Sequence, residues 1–158
     1  MNTEPAPISA AALPPLLALN NAHAEALSLL DADGLARLVG QAFHARAVGD
    51  GEAFLIALDQ TADYASPNYQ WFRARHARFV YVDRVVVATA ARGRGLARRL
   101  YEGLFEAAAA RGHGLIGCEV NLAPPNPQSD AFHAALGFVE VGRATIPDKT
   151  VRYLERHL

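Results

Sequence analysis

The stretch VVVATAARGRGLARRLYEGL, residues 85–104, decides how this chain is read. Three valines look like the end of a strand, and Leu96, Leu100, Leu104 and Ala108 recur along one helix face, with Ala97, Tyr101 and Phe105 beside it. Between strand and helix stand two glycines, each next to an arginine. Glycine weakens element interiors and is kept where the backbone must turn tightly or come close to something. A strand that passes through such a turn into a helix gathers unpaired N–H groups and the positive end of the helix dipole at one point, which makes an anion site. Phosphate is the obvious guest.

A plain turn before a charged helical turn would leave the same trace. A dinucleotide fingerprint starting at Gly93 would need a small residue at position 98, where Arg98 stands, and no suitable acidic residue ends a strand about twenty positions later. The chemistry therefore turns on the residues beyond the C-terminal end of the helix.

Outward from this stretch, residues 78–87 form the strongest strand pattern, β-branched and aromatic on both faces as in a central strand. Residues 53–58 are a second apolar strand after the turn signal Val48-Gly49-Asp50-Gly51. Asp31-Ala32-Asp33-Gly34 offers N-cap chemistry to a helix with Leu35, Leu38, Val39, Ala42 and Phe43 on its buried stripe. Residues 16–20 read as a first strand ended by Asn20-Asn21, and residues 59–76 as a long irregular loop carrying Tyr64, Asn68, Tyr69 and Trp71. After the helix come a strand at residues 115–121, a PPNP break, a helix at 128–136 closed by Gly137, and strands at 139–141 and 150–154. The pattern predicts an α/β fold: a mixed sheet, α+β in its first half, flanked by helices.

The 158 residues fit one domain spanning 1–158, with 1–12 as a loose N-terminal tail. A net charge of −1 provides no global field for nucleic acid or anionic membrane, so any anion site is local. The opening residues lack a basic signal region, and the apolar run after them is short and broken by Pro14 and Pro15. The lone Cys118 suits a reducing compartment, so a cytoplasmic protein is expected. His23, His44, His76 and His113 show no metal-ligand spacing with one another or with Cys118, and no metal is expected. Arg73, Arg75 and Arg78 do not outweigh a near-neutral chain, so neither is nucleic acid.

Arg92-Gly93-Arg94-Gly95-Leu96-Ala97 matches [Q/R]-x-x-G-x-[G/A] at every specified position, with Val85-Val86-Val87 before it. Asn126-Pro127-Gln128-Ser129 through His133 to Gly137-Phe138 reproduces N-x-x-[A/S]-x-x-x-[Y]-x-x-x-G-F in spacing. In these two motifs the chain resembles the GNAT superfamily of N-acetyltransferases, and as a whole a bacterial branch of it. The resemblance implies a GNAT-like fold and direct transfer of an acyl group from acetyl-CoA to a primary amine of a small molecule or peptide. A GNAT-fold domain that senses acyl-CoA, or binds a partner, without turnover is the other reading. A homodimer is expected from the family only.

By that resemblance the backbone N–H groups of Arg92, Gly93, Arg94, Gly95, Leu96 and Ala97 hold the CoA pyrophosphate. The backbone of Val85, Val86 and Val87 pairs with the pantetheine arm like an added strand. Asn126 and Ser129 reach the same arm, Asn126 also serving as an N-cap before Pro127. His133 stands where the family has the tyrosine that protonates the leaving thiolate. An imidazole can donate a proton near neutral pH, although a histidine that only packs fits as well. Aminolysis needs a neutral amine, and Asp83 and Glu119, carboxylates inside apolar strands, are the candidate bases; Asp83 could instead sit in a salt bridge and Glu119 bind a cationic amine. Alternation places Asp83 on the face of Val85 and Val87. Tyr64, Tyr69 and Trp71 are expected to line the acceptor site, or to plug the core, with Asn20 and Asn21 adding polar contacts.

Overall fold

The computed structural model describes residues 4–23 and 27–158. Within them seven strands form one sheet: β1 (Ala6–Pro7), β2 (His44–Val48), β3 (Ala53–Asp59), β4 (Val80–Val87), β5 (Leu115–Ala123), β6 (Val139–Ile146) and β7 (Lys149–His157). Five helices cover it: α1 (Leu13–Ala22), α2 (Ala32–Gln41), α3 (Pro67–Arg73), α4 (Leu96–Ala110) and α5 (Pro127–Ala135). The order across the sheet is β1-β2-β3-β4-β5-β7-β6. β4 and β5 run parallel, joined through α4, and every other neighbouring pair is antiparallel. The mixed α/β sheet expected from the sequence is the sheet observed.

Each face of the sheet has its own core. Leu16, Leu35, Phe54, Ile56, Tyr69, Phe72 and Tyr81 pack together under α1, α2 and α3. Leu55, Ala57, Val82, Leu96, Leu100, Leu104 and Ile116 do so under α4. β3 is buried on both faces because its residues alternate between these cores, which explains its unbroken apolar run. A fully buried leucine contributes about 1.5–3 kcal/mol, so the leucine line of α4 fixes that helix, and its first turn, against the sheet.

Three expectations need correction. Residues 16–20 belong to α1, not to a strand: Pro14 and Pro15 sit in its first turn, where their missing N–H groups cost nothing, and Leu16, Leu19 and Asn20 turn inward. A short apolar run cannot distinguish strand from helix by periodicity alone. The loop expected at 59–76 contains α3, again opened by a proline. The expected loose tail is tied down where it is described: Ala6 and Pro7 pair with Ala47 and Arg46, and Ala10–Ala12 form a 3-10 turn; residues 1–3 lie outside the described residues. The closing strands are longer than expected, and Asp148 turns between them at φ 69°.

Candidate active site

β4 and β5 pair through Val80↔Ile116 and Tyr81↔Gly117 and then part. At the point of parting β4 carries a bulge. Ala57 pairs with Val82 and Ile56 with Arg84, leaving Asp83 as the extra residue. The bulge corrects the alternation expected for Asp83: its carboxylate lies against the next side chain, with Arg84 Nε donating to Asp83 Oδ2 at 2.6 Å. Both side chains are buried. Arg84 also donates to Asn20 Oδ1 at 2.7 Å and to Ser28 Oγ at 3.1 Å, so the pair is fixed to the end of α1. Beyond the bulge, residues 85–87 have no β5 partner.

The glycine stretch wraps the end of this free edge. A 3-10 turn at Thr89–Ala91 brings the chain round, Gly93 and Gly95 take φ of 82° and 72°, and Gly95 becomes the left-handed N-cap of α4. Side chains other than glycine are strained there. The first α4 bond runs from Arg99 N–H to Gly95 O at 3.1 Å, so the amides of Leu96, Ala97 and Arg98 are left without helical acceptors. The cleft they face has a volume of about 600 Å³, and residues 85–87 and the start of α5 complete its walls. Arg94 turns away, its guanidinium donating to Glu52 Oε2 at 2.7 Å, and it does not line the cleft.

A smaller cavity of about 140 Å³ opens from the cleft into the gap between β4 and β5. Leu27, Val85, Asn126, Ser129 and His133 line both spaces. Glu119 is in its wall and accepts from the Tyr81 hydroxyl at 2.8 Å. Burial pushes the Glu119 carboxyl up to about 8, the Tyr81 hydrogen bond opposing the shift and the nearby Asp83 adding to it. A carboxyl poised there can exchange a proton with an amine near neutral pH. Asp83 lines the same cavity, but its charge is matched by Arg84.

His133 is buried in α5 and bonded at both ring nitrogens. Nδ1 lies 2.8 Å from Ser129 O and 3.2 Å from Ser129 Oγ, and Nε2 lies 2.7 Å from Tyr101 Oη. A carbonyl oxygen only accepts, so Nδ1 carries the proton and Nε2 accepts from the Tyr101 hydroxyl. Burial lowers the His133 pKa, while the Ser129 carbonyl and Asp130 oppose the shift. The resting ring is neutral and has a partner at each nitrogen. Tyr101 was legible only as a helix-face residue. A buried tyrosine hydroxyl needs a partner, and that requirement was the available clue. Cys118, beside Tyr101, is a buried thiol raised well above its usual range by burial, which suits packing rather than nucleophilic attack. Asn126 caps α5 as expected, its Oδ1 accepting from Ser129 N–H at 3.2 Å, and it faces both spaces.

The residues expected to contact an acceptor are mostly placed elsewhere. Asn20 is fully buried, and its amide serves Arg84, Asn21 and Ser28. Asn21 exchanges two bonds with the backbone of Leu30. Tyr69 is a core plug whose hydroxyl donates to Asp59 O at 2.7 Å. Trp71 stacks on Tyr153 at 4.2 Å, with Gly142 leaving room for its ring. Tyr64 comes nearest the site: Asp83 and Arg84 are beside its hydroxyl, whose pKa is raised chiefly by burial. None of these five lines the cleft or the inner cavity. Aromatic and amide side chains serve packing as readily as binding: α3 turns Tyr69 inward, and Asn20 and Asn21 belong to α1.

Among the described residues no group of three or more histidine, cysteine or acidic side chains could hold a metal ion, and no helix is long and apolar enough to cross a membrane. No curated protein matches the sequence. Solved structures do match. The ribosomal-protein-S18-alanine N-acetyltransferase from Escherichia coli superposes with a TM-score of 0.73 at 17% identity, covering 99% of this chain and 94% of its own. The ribosomal-protein-alanine N-acetyltransferase from Brucella melitensis gives 0.70 at 21% identity over 98% and 99% of the two chains. The structure of yncA from Salmonella typhimurium with its cofactor acetyl-CoA gives 0.69 at 16% identity over 97% and 92%. At these identities the likeness shows the fold. Residues 33–138, which contain the glycine loop, the parted strands and α5, match the family model described as the Acetyltransferase (GNAT) family. The chain belongs to that family and is an acetyl-CoA-dependent acyltransferase.

Proposed function

We propose that this enzyme transfers the acetyl group of acetyl-CoA directly to a primary amine of a small molecule or peptide, within a ternary complex. One observation carries the reading: the free edge of β4 runs without a break from the unpaired amides at the start of α4 to a cavity holding a carboxyl with a raised pKa. The amides of Gly93 and of Gly95 to Ala97 cradle the pyrophosphate, the Arg92 N–H being turned to Thr89 O, and the helix dipole adds to their pull. The backbone of residues 85–87 pairs with the pantetheine arm in the way a β5 partner would. Asn126 and Ser129 flank that arm from α5.

In the transfer step the amine nitrogen forms a bond to the thioester carbonyl carbon, the C–S bond breaks, and sulfur keeps the electron pair. Glu119 takes the amine proton, assisted by the hydrogen bond from Tyr81. Asp83, held by Arg84, is a fixed charge that helps keep the Glu119 pKa high. The departing thiolate draws its proton from the Tyr101–His133 pair, so His133 acts together with Tyr101 and not alone. Glu119 then gives up its proton to water and water returns one to the pair, so the cycle closes with no net gain or loss.

The reading also keeps the expectations of a cytoplasmic bacterial enzyme that needs neither metal nor nucleic acid, and of a homodimer. The test has two steps. Acetyl-CoA at about 100 times its Kd should stabilise the protein by about 2.7 kcal/mol, on the order of 5–10 °C in Tm, with NAD giving no shift. Thiol release is then followed with a panel of amines. Acetyl-CoA binding without release by any amine would favour an acyl-CoA-binding domain; no shift with acetyl-CoA would remove the basis of the reading.

A further inference from the structure

The wall of the inner cavity carries a row of polar side chains contributed by β5 and β7. The register pairs Glu119 with Tyr153 and Asn121 with Val151. Opposite residues share a face, and so do residues two apart on one strand. Lys149, two positions before Val151, therefore stands on the face of Glu119 and Asn121. Each two-residue step along a strand measures about 7 Å, so the row runs outward from Glu119, past Asn121, to Lys149 at the β6–β7 turn. All three residues line the cavity.

Their commitments differ. Glu119 accepts from Tyr81. The other acid in the cavity, Asp83, is matched by Arg84, and Arg84 is in turn fully engaged with Asp83, Asn20 and Ser28. Asn121 and Lys149 are half-buried and make no hydrogen bond or close ion pair among the described residues; the Lys149 charge acts on Glu119 only at longer range, slightly opposing the rise of its pKa. A cation held against a partly desolvated wall is normally paired. The cavity wall thus has a proton-accepting carboxyl at one end of the row and, towards the other, an amide and an ammonium that no side chain binds directly.

The geometry points to an acceptor that brings its own anion: a small amine bearing a carboxylate, its nitrogen at Glu119 and its carboxylate on the Lys149 ammonium and the Asn121 amide. This assignment rests on the transferase reading and names the substrate class for it. A neutral amide or a polyamine would leave Lys149 without a close anion, since Glu119 reaches it only at longer range, and a polyamine would add repulsion. Selection arises from the unmatched charge as much as from the bond gained.

Two readouts test this. The first is thiol release from acetyl-CoA with matched acceptors, amino acids against their carboxamides and against diamines of similar length. The second is binding of the same compounds to enzyme saturated with CoA, which needs no turnover. A charge-assisted contact gives a preference of about tenfold to a hundredfold, so the acids should lead by that factor in kcat/KM and in affinity. Lys149→Met should erase the preference with the KM for acetyl-CoA unchanged, and Lys149→Glu should turn it towards diamines. Amides used as well as acids, or a preference that survives Lys149→Met, would overturn the inference while leaving the transferase reading intact. Acids that bind selectively without any transfer would support it and count against the transferase reading instead.

Discussion

The donor cleft and the inner cavity meet at the same parted strands but are built from different materials. The cleft is mainly backbone: amides at the start of α4, an unpaired edge of β4, and two glycines at positive φ. The cavity is side chains from β4, β5, β7, α4 and α5, each placed by a different element. A backbone site needs only a conformation, so it leaves a short, fixed signature in sequence. A side-chain site needs partners distant in sequence, and it is where one chain can differ from its relatives.

That contrast can be broken most sharply at Glu119. Glu119→Gln should lower kcat by about 10²–10⁴-fold, the usual contribution of a positioned base, with acetyl-CoA binding unchanged. The same substitution should remove the rise in rate through pH 8, because the base works ionised and burial holds it protonated below that value. A retained limb in Glu119→Gln would move the base elsewhere.

Tyr101→Phe and His133→Ala should each lower turnover by more than about tenfold if the pair supplies the thiolate proton, and the double substitution should cost little beyond the worse single one, because neighbours that act as a unit are not additive. Additive losses would separate the two residues.

On the cleft side, Gly95→Ala forces a left-handed conformation costing about 1–2 kcal/mol, which should weaken acetyl-CoA binding by roughly tenfold. Arg94→Ala should change acetyl-CoA affinity by less than about threefold, its partner Glu52 forming only a partly exposed pair that contributes at most about 1 kcal/mol. A larger loss at Arg94 than at Gly95 would show that the cleft depends on side chains after all.

Much of the cleft was legible in the sequence. RGRGLA after a run of valines, and the Asn126 to Phe138 spacing on α5, specify backbone shape, and shape recurs with its glycines and caps. The sheet order was legible only in part. α1 was hidden because Leu16 and Leu19 fit either period, and α3 because a seven-residue helix leaves too few turns to show one. Around the cavity, Glu119 stood out as a carboxyl in an apolar strand, whereas Tyr101, Lys149 and the Tyr81 that donates to Glu119 did not. Nothing in LARRLYEGL says that the Tyr101 hydroxyl meets His133 thirty-two residues later. The Asp83 bulge was equally silent, since an extra residue in a strand looks like any other residue.

The two pairs that join β4 to β5 have a mechanical consequence. The sheet amounts to two panels, β1 to β4 and β5 with β7 and β6, stitched together over Val80↔Ile116 and Tyr81↔Gly117. A seam that short resists bending far less than the ladders on either side of it. A molecule bound along the free edge of β4 would splice the panels over a longer span, so occupancy of the cleft stiffens the whole sheet. Slower amide exchange should then reach β5 and β7 as well as the strand that is touched.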